Sequence, residues 1–473
     1  MKTKKDNWYL ALDQGGHATR GIVYDSQGKE IFSAYSEIDT YTPDNLRVEH
    51  DPVQYINSFS HILTRITQQT GEDAKRIVAA GLATQRSSMV CWDRETGEAL
   101  SPILSWQDRR TLPDLGKYQT HQDLISKNTG LVLNAHYGAS KMRWCLENLE
   151  SVKRYCEGGR LAIGPVASFV LYKLINDHPF VCDPANAGRT LLYNYHTGDW
   201  DQTLLALFQI DRQHLPECRY TRDRFGTIQL GDRRIPLTIC TGDQSAAIFA
   251  MGIPPSQTLF VNAGTGAFVQ QVIAQQIDSE ADGLLRSIVY TEPNSRLYVK
   301  EGTVNGAGRA LQWYAQEHQV ENYEDSLSLW TEQYQNPPVF LNMVSGIGSP
   351  FWISEGQSRF DRSCDSQEAM VAILESIVFM LQSNMALFSG YKNIQIGGGL
   401  GRNPGFCQKL ADLSGIPVIR QSLSETTCAG LFFLLAEKTT SNDLHQKAFY
   451  PTCNPGLLDR FQQWRKLLDD HIR

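Results

Sequence analysis

Hydrophobic and polar positions near the start of the chain predict strands separated by turns. Residues 8–12 are apolar and rich in strand-forming side chains, and a glycine turn follows at residues 13–16. The strand composition returns at residues 21–25 and again at residues 30–34. Short apolar runs bounded by glycine turns are typical of antiparallel strands. The chain is therefore expected to open with a strand, a turn and a second strand.

The same order of elements returns near the middle of the chain. Residues 258–262 predict a strand, residues 263–266 a polar glycine turn, and residues 267–273 the next strand. Two halves that open in the same way indicate a duplicated domain. Because glycine hairpins are common, two unrelated hairpins stay open as the alternative at this point.

Helical and strand patterns alternate through the rest of both halves. The apolar spacing predicts helices at residues 52–69, 140–149, 368–387 and 404–413, and strands at residues 78–83, 236–241 and 394–396. Strands that alternate with helices predict an α/β fold. No proline-rich, serine-rich or charged linker separates the halves. We therefore expect the halves to pack closely, with a cleft between them.

Composition excludes several classes of protein. The 473 residues suggest two or three domains, which is too much chain for a single small binding module. Hydrophobic residues make up 41% of the chain and charged residues 20%, so wholesale disorder is excluded. The formal net charge is −7. The chain has no global basic field for nucleic acid or for an anionic membrane surface, and neither is expected as a partner.

The cysteines and the amino end point to a cytoplasmic protein. Ten cysteines are spread along the chain without a CxxC pair, so they are interpreted as reduced core thiols. The apolar stretch after the basic first residues is too short for a signal peptide. No apolar run approaches the roughly 18 residues that a membrane span requires. A cytoplasmic location is the expectation.

The first glycine turn has the composition of a phosphate site. Asp13 ends the first strand, the amides of Gly15 and Gly16 can approach an anion, and Thr19 and Arg20 follow. Phosphoryl transfer needs a carboxylate that holds a metal ion and donors for the phosphate oxygens. The alternative is an ordinary hairpin in which Asp13 accepts hydrogen bonds from turn amides.

Asp243 follows a strand pattern and precedes a helical one. Reactive groups in α/β proteins lie at such strand ends, where a carboxylate can accept a proton from an attacking hydroxyl. Capping of the helix is the alternative role for Asp243. The hairpin Gly264-Thr265-Gly266 presents a hydroxyl at its tip in a comparable setting.

Three further segments place polar groups or glycines after strands. Residues 84–88 and 106–110 gather polar and cationic side chains that suit a small hydroxylated ligand, and residues 397–399 are three glycines before a helix. Glycines there let the chain pass close to a flat or anionic ligand. A surface ion-pair patch and a tight packing turn are the alternatives.

These segments occur together in the order of a known family. They are Asp13-Gln14-Gly15, Glu49-His50-Asp51-Pro52, Gln85-Arg86, Trp106-Gln107-Asp108-Arg109-Arg110, Arg189-Thr190, Gly242-Asp243-Gln244, Gly264-Thr265-Gly266, Glu301-Gly302, Gln312-Trp313 and the glycines at 397–399. In these segments the chain resembles carbohydrate kinases of the FGGY family over essentially its whole length, and most closely the branch that phosphorylates glycerol. Many spaced segments in one order are far more specific than a single glycine loop.

The resemblance implies a fold, a reaction and a division of the chain. It implies two actin-like, ribonuclease-H-like domains around a central cleft, with residues 1–245 on the acceptor side and residues 246–473 on the nucleotide side. It also implies ATP and Mg²⁺ as cofactors and a small polyol or sugar as acceptor. A homodimer and a homotetramer are both left open.

The resemblance further implies roles for individual residues. Asp13 resembles the magnesium-site carboxylate, Arg20 a residue near the transferred phosphate, and Asp243 the general base. Acceptor contacts are expected from Arg86, Ser87, His136, Asp243 and Gln244. Nucleotide contacts are expected from Gly15, Gly16, Thr19, Gly264, Thr265, Gly266, Gly306, Gln312, Gly398, Gly399 and Asn403.

The sequence departs from the family pattern at the acceptor and phosphate positions. Gly16 and His17 stand where two threonines are usual, and Ser87 and His136 stand where glycerol-phosphorylating members carry glutamate and tyrosine. Loss of a carboxylate that holds hydroxyl groups costs binding of about 1–3 kcal/mol or more. Glycerol is the first acceptor to consider, a longer polyol or a ketose is the alternative, and a nucleotide-binding regulator with little turnover is the rival from another class.

Overall fold

A computed structural model describes residues 7–273, 282–354, 356–420, 425–440 and 446–472. The chain forms an α/β fold of two halves, each built around one large mixed sheet. The strands of the first half are β1 Trp8–Gln14, β2 Ala18–Asp25, β3 Glu30–Glu37, β4 Glu49–His50, β5 Ile77–Thr84, β6 Met89–Asp93, β7 Ile103–Leu104, β8 Leu161–Pro165, β9 Val181–Cys182, β10 Tyr193–Asn194, β11 Asp199–Trp200, β12 Glu217–Cys218, β13 Arg222–Leu230 and β14 Arg233–Gly242.

Short and medium helices connect these strands. They are α1 Pro52–Thr70, α2 Gln122–Thr129, α3 Gly138–Asn148, α4 Glu150–Glu157, α5 Val166–Leu174, α6 Pro184–Ala187, α7 Gln202–Phe208 and α8 Asp243–Ala247. Asp51 caps α1 by accepting from the Val53 amide at 2.7 Å, and Pro52 begins the helix without needing an amide partner.

The second half repeats this plan with a longer central helix. Its strands are β15 Thr258–Ala263, β16 Ala267–Ile273, β17 Leu285–Glu292, β18 Ser295–Val304, β19 Phe340–Leu341, β20 Arg359–Phe360, β21 Asn393–Gly397, β22 Val418–Arg420 and β23 Lys447–Phe449. Its helices are α9 Gly308–Glu317, α10 Tyr323–Gln333, α11 Ser366–Met385, α12 Pro404–Ser414, α13 Thr426–Ala436 and α14 Pro455–Ile472.

The two large sheets share the arrangement of their central strands, although the first has six strands and the second has seven. The first has the strand order β13-β14-β5-β1-β2-β3, with β1 antiparallel to β2 and parallel to β5. The second has the order β17-β18-β16-β15-β21-β22-β23, with β15 antiparallel to β16 and parallel to β21. The repeat predicted from the two glycine hairpins is therefore confirmed as a repeat of sheet topology.

The predicted elements occur where the patterns placed them, with ends that differ by one to three residues. The strand expected at residues 78–83 extends to Ile77–Thr84, and the helix expected at 368–387 is Ser366–Met385. The strand at 267–273 has the predicted bounds. These small differences arise because hydrogen bonds at element ends depend on capping partners that periodicity does not report.

One helix of the second half packs on the sheet of the first half. α13 contacts β1 and β5, and it joins α8 in an apolar cluster with Ala11 and Ala83. A Cβ atom at Gly430 would lie 1.8 Å from the Ala246 carbonyl oxygen, so the two helices approach more closely than a side chain there would permit. The two halves therefore share a core at the base of the cleft.

The border expected between residues 245 and 246 falls inside α8. The first large sheet ends at Gly242, and the second begins at Thr258. The border stays a prediction.

The structure bears on the expectations of reduced cysteines and of no membrane span. All ten cysteines are free thiols; six are buried, and Cys453 is exposed. Within the described ranges, no helix combines the length and the apolar character that crossing a membrane requires.

Candidate active site

Three parallel strands of the first sheet end at the same edge, and each delivers a predicted site residue. Gln14 of β1 and Gly242 of β14 both pair with Thr84 of β5. Asp13, Arg86 and Asp243 therefore lie at or just beyond neighbouring strand ends. The carboxyl ends of parallel strands are where α/β folds bind ligands.

A cavity of about 220 Å³, the central cavity, lies between this edge and the second half. Its lining residues are Gln85, Arg86, Ser87, Trp106, His136, Arg189, Asp243, Gln244, Asn262, Gly264, Thr265, Gly266 and Phe268. All five residues expected at the acceptor therefore meet the hairpin expected at the phosphates. The two groups come from opposite halves of the chain.

Asp243 opens α8 and lines the central cavity. Its Oδ1 accepts from the Gln244 amide at 2.7 Å and lies 3.9 Å from Nε of Arg86. Gly242, and not Asp243, occupies the capping position of the helix. Burial raises the pKa of Asp243 above its ordinary value, and the charge of Arg86 opposes that rise. The arrangement leaves a carboxylate oxygen that can accept a proton.

Arg86 is the buried cation next to Asp243. It donates to Oε1 of Gln244, and its Nη2 lies 3.8 Å from Oε2 of Glu301. Burial, and next the charge of Arg189, lower the pKa of Arg86 to about 10, so the guanidinium stays charged at neutral pH. Arg86 thus connects the catalytic-base candidate to a carboxylate of the other half.

That carboxylate, Glu301, belongs to β18 and is fully buried. Its Oε2 accepts from Nη2 of Arg189 at 2.8 Å and from Nε2 of Gln270 at 2.7 Å, while its Oε1 has no hydrogen-bond partner in the described chain. Burial raises the pKa of Glu301, but the charges of Arg189 and Arg86 outweigh that effect and hold it below the ordinary value. A charged pair therefore bridges the two halves at the cleft.

Ser87 and His136, which the family resemblance assigns to the acceptor, line the central cavity. Ser87 has a φ of 65°, and its buried hydroxyl has no hydrogen-bond partner in the described chain. The His136 ring lies between Trp106 and Tyr137, at centroid distances of 5.4 and 5.0 Å. Burial and nearby cations lower the pKa of His136 well below 6.5, so its imidazole is neutral at neutral pH.

Asp13 lies at the end of β1 with one oxygen unsatisfied. Its Oδ1 is buried and has no hydrogen-bond partner among the described residues. Burial, with the nearby charge of Asp243, raises the pKa of Asp13 to about 8. A carboxylate short of donors and close to another carboxylate suits a divalent cation, whose charge would reverse that shift.

The described residues contain no ready cluster of three or more His, Cys, Asp or Glu side chains for a metal ion. Mg²⁺ is commonly held by one or two carboxylates together with water and substrate phosphates. Asp13 therefore fits a magnesium ion that arrives with a nucleotide.

Arg20 pairs with a residue that the sequence analysis did not select. It faces Asp13 across the β1–β2 pair, and its guanidinium donates to the Glu425 carboxylate just before α13. Both side chains are about one-third exposed. The structure places Arg20 beside the Asp13 carboxylate but not in the lining of the central cavity.

Groups of the first glycine turn, residues 13–16, that could contact a phosphate are partly engaged in hydrogen bonds within the protein. The Gly15 amide donates to the Ala18 carbonyl at 2.9 Å, and the Gly16 carbonyl accepts from the Thr40 hydroxyl at 3.3 Å. Thr19 is fully buried, and its hydroxyl contacts Gln14 and Ser58. The structure does not bring Thr19 to the cleft, because neighbouring residues of a strand face opposite sides of the sheet.

Hydrogen bonds from the first turn of α9 hold the hairpin at residues 264–266 in place. The amides of Gly308 and Arg309 donate to the carbonyls of Gly264 and Thr265 at 2.9 and 3.0 Å. Gln312 lies on the same helix and is exposed. Gly306 is buried, and a Cβ there would lie 2.2 Å from the Val344 carbonyl oxygen, so its immediate neighbour is protein backbone.

The glycine turn after β21 lines a smaller cavity of about 70 Å³, the inner cavity, which shares Gln244 and Asn262 with the central cavity. Gly398 has a φ of 85°, and a Cβ there would lie 2.4 Å from the Ala263 carbonyl oxygen. Gly399 has open space around it. Asn403 caps α12 by accepting from the Phe406 amide at 3.0 Å.

On the other side, the central cavity continues into an outer cavity of about 160 Å³. The two share Trp106, His136, Arg189, Thr265, Gly266 and Phe268. The outer cavity also reaches Gln107, Arg109, Asn305, Arg309, Ser345 and Trp352. The three cavities therefore follow one another along the cleft, with the Gly398 turn at one end.

Sequence reasoning missed Arg189 and Glu301 as site residues. Both lie in segments that carry the family resemblance, and a glutamate inside the apolar pattern of β18 is a signal of a buried charge. Their partnership could not be read from the sequence, because 112 positions separate them.

Comparisons with known proteins agree with the two-domain fold. The model of the FGGY family of carbohydrate kinases matches in two parts, the N-terminal domain at residues 8–250 and the C-terminal domain at residues 259–436. A glycerol kinase of Natranaerobius thermophilus is 31% identical over 444 residues, which cover 90% of this chain and 89% of that protein. A glycerol kinase of Alcanivorax borkumensis is 29% identical, with 97% of each chain covered.

Solved structures show the same fold. The glycerol kinase of Plasmodium falciparum, solved with ADP, superimposes with a TM-score of 0.87 at 21% identity and covers 98% of both chains. A ligand-bound xylulose kinase of Lactobacillus acidophilus gives a TM-score of 0.83 at 19% identity, again over 98% of both chains. These likenesses establish a two-domain α/β architecture around a cleft.

Proposed function

Because the chain belongs to the FGGY family of carbohydrate kinases, we propose that it transfers the γ-phosphoryl group of ATP to a hydroxyl of a small polyol or sugar. The chain is thus a phosphotransferase with an alcohol group as acceptor. Glycerol is the first acceptor to test, since curated relatives at about 30% identity are glycerol kinases.

The observation that carries this proposal is the composition of the central cavity. Asp243, Arg86 and Gln244 line one side, and Gly264, Thr265 and Gly266 line the other. A base beside a place for a hydroxyl group, opposite a glycine hairpin that can approach phosphate, is the arrangement an in-line phosphoryl transfer requires.

Asp243 acts as the general base in the proposed mechanism. It takes the proton of the acceptor hydroxyl as the hydroxyl oxygen forms a bond to the γ-phosphorus and the bond to the leaving ADP oxygen breaks. A positioned base contributes about 10²–10⁴-fold to the rate. Because Arg86 lies 3.9 Å away and opposes the rise in the pKa of Asp243, it keeps more of the base ionised at neutral pH.

Positive groups and amides stabilise the charge on the transferred phosphoryl group. Arg20 lies beside Asp13, and Thr265 lines the central cavity. Asp13 would hold Mg²⁺, which neutralises charge on the nucleotide phosphates when it is bound. Gly398 lines the inner cavity, at the end of the cleft where the adenosine is expected.

The residues on the acceptor side of the central cavity also support a longer polyol or a ketose as the alternative acceptor. Ser87 and His136 line the central cavity, where glutamate and tyrosine are expected in the glycerol-phosphorylating branch. Neutral His136 offers both an acceptor and a donor nitrogen to a sugar hydroxyl. Arg86 donates to Gln244, so both are fixed next to the same position.

The test is a screen of ADP release from MgATP with glycerol, erythritol, pentitols, ketopentoses and ketohexoses. The proposal expects acceptor-dependent ADP release and a phosphorylated product, with loss of both on chelation of Mg²⁺. ATP binding without turnover on any acceptor would instead support the regulator, for which Gly16 and His17 in the first turn are the argument.

A further inference from the structure

Two arginines line the outer cavity from opposite halves of the protein. Arg109 follows β7, and its amide donates to the Leu46 carbonyl at 2.7 Å. Arg309 lies in the first turn of α9, and its amide donates to the Thr265 carbonyl at 3.0 Å. Both backbones are therefore anchored, and both side chains reach the same cavity.

Neither guanidinium has an ion-pair or hydrogen-bond partner within the described ranges of the chain. The neighbouring Arg110 shows the contrast, since it pairs with Asp108 at 2.7 Å and also with Glu49. Burial, and next the charge of Arg309, lower the pKa of Arg109. Two cations from different halves thus face one cavity, which Glu301 also lines, and neither cation is paired within the described ranges of the chain.

The charge of the cleft differs in sign from that of the chain. Four arginines line the central and outer cavities, namely Arg86, Arg109, Arg189 and Arg309, against the two carboxylates of Asp243 and Glu301. Glu301 is already engaged by Arg189, and Asp243 by Arg86. The chain as a whole carries a net charge of −7. The excess positive charge therefore belongs to Arg109 and Arg309.

Arg109 and Arg309 lie at the opposite end of the row of cavities from the Gly398 turn, where the nucleotide is expected. The inner cavity at Gly398 shares residues with the central cavity, and the central cavity shares others with the outer cavity. Arg109 and Arg309 lie at the end beyond the acceptor residues. An anion there is on the side of Asp243 away from the Gly398 turn.

We propose that Arg109 and Arg309 form an anion subsite for the acceptor, which is a polyol or sugar that carries a carboxylate or a phosphate ester. The acid group lies between the two guanidinium groups while the reacting hydroxyl lies at Asp243. An anion placed there would offset the repulsion between the two cations. This proposal rests on the proposed kinase function and narrows its substrate class.

The experiment compares acceptors that differ only in the end group. Glycerol is paired with glycerate, erythritol with erythronate, and glucitol with gluconate, and a sugar phosphate is added as a separate arm. The enzymes are the parent, Arg109→Gln, Arg309→Gln and the double variant. Arg65→Gln on the exposed face of α1 is the matched control.

The parent is expected to have a higher kcat/KM for the acid member of at least one pair. The double variant should lose at least about ten- to hundredfold of that value, because the loss of even one charged hydrogen bond has an effect of that order. Its kcat/KM for the neutral member and its KM for ATP should stay within about twofold. Arg65→Gln should match the parent throughout.

Two kinetic outcomes would overturn the proposal. One is a parent that prefers the neutral member of every pair. The other is a double variant that loses ATP affinity while its acceptor preference is unchanged, which would assign the two arginines to the nucleotide phosphates. Preference for the sugar phosphate over the sugar acid would support the subsite and identify its anion.

Direct binding separates this proposal from the kinase function itself. Calorimetric titration of gluconate, and separately of inorganic phosphate, into parent and double variant needs no turnover. Binding that the double variant loses would support the subsite even if no acceptor were phosphorylated. Equal binding of these anions by parent and double variant, or binding by neither, would overturn it.

Discussion

Two buried charge clusters differ in how completely their polar atoms are satisfied. In the core of the second half, Glu375 accepts from Lys409 at 2.8 Å and from Arg460 at 2.7 and 2.8 Å, so both of its oxygens are engaged. At the cleft, Glu301 and Arg189 pair at 2.8 Å, but Oε1 of Glu301 and Nε of Arg189 have no partner in the described chain.

The cluster at the cleft belongs to a wider set of unsatisfied atoms. Oδ1 of Asp13, Oε1 of Gln85 and the hydroxyl of Ser87 are also buried without partners in the described chain. An unsatisfied buried polar atom costs stability, and where such an atom lies at a cavity a ligand can supply the missing hydrogen bond. The comparison distinguishes a cluster whose carboxylate oxygens are both hydrogen-bonded from one with unsatisfied atoms at a cavity.

The largest effect is expected from Asp243→Asn. The amide keeps the shape of the side chain but cannot accept the hydroxyl proton, so kcat should fall about 10²–10⁴-fold. ATP affinity should stay close to that of the parent. Steady-state kinetics and nucleotide titration check this, and near-parent turnover would remove Asp243 from the role of base.

Asp13→Asn should lower magnesium-dependent turnover and, at pH 8 to 9, raise the melting temperature. Magnesium-dependent turnover should fall by at least about a hundredfold, because a bound metal contributes several kcal/mol to transition-state stabilisation. The pKa of Asp13 is about 8 in the folded protein against 3.8 ordinarily. Between those values the folded state holds a proton that the unfolded chain has released, so parent stability falls as the pH rises.

Thermal melting without Mg²⁺ measures the stability part of the Asp13 prediction. At pH 8 to 9 the Asp13→Asn protein should melt at a higher temperature than the parent, and near pH 4 the difference should disappear. If the melting temperature of the parent rose between pH 5 and pH 8 relative to that of the variant, the raised pKa of Asp13 would be contradicted.

Glu301→Gln and Glu375→Gln test the two clusters directly. Removal of one charge from a buried pair commonly costs 3–5 kcal/mol, so both variants should melt earlier than the parent. Only Glu301→Gln should also lower acceptor kcat/KM, by about ten- to hundredfold, because it releases Arg86 and Arg189. Glu301→Asp should recover part of the loss. Equal acceptor kinetics in the two amide variants would make Glu301 a purely structural residue.

A smaller effect is expected at the glycine turn of the inner cavity. Gly398→Ala places a methyl group 2.4 Å from the Ala263 carbonyl oxygen at a φ of 85°, so the turn must shift. ATP affinity should fall at least about tenfold while the protein stays folded. Gly415→Ala is the matched control, since its φ is 69° but no atom lies within 4 Å. Unchanged ATP affinity in Gly398→Ala would move the nucleotide away from this turn.

The smallest effect concerns the acceptor side of the central cavity. Ser87→Glu with His136→Tyr should shift the kcat/KM ratio of glycerol to the best acceptor by about tenfold toward glycerol. Both residues line the central cavity. The two ratios are measured in parent and double variant, with KM for ATP as the control. An unchanged ratio in a folded double variant would mean that these side chains do not select the acceptor.

Much of the fold and part of the site follow from local sequence patterns. Apolar periodicity predicted the strands and helices, because burial on one face has a short repeat. The family resemblance implied one site for Asp13, Arg86 and Asp243, and these residues lie at or just beyond the ends of neighbouring parallel strands. The orientation of Thr19 toward Ser58 shows the limit, since a candidate next to a strand end can still face the core.

The sequence by itself determined the element order, the repeated glycine hairpins and the residue types that suit phosphoryl transfer. Only the tertiary structure decided that Glu301 pairs with Arg189 over 112 positions, that α13 packs on the first sheet, and that Arg109 and Arg309 share a cavity. Local patterns encode local burial, whereas partners across a cleft are set by how two independently patterned sheets pack. No short-range pattern in the sequence carries that information.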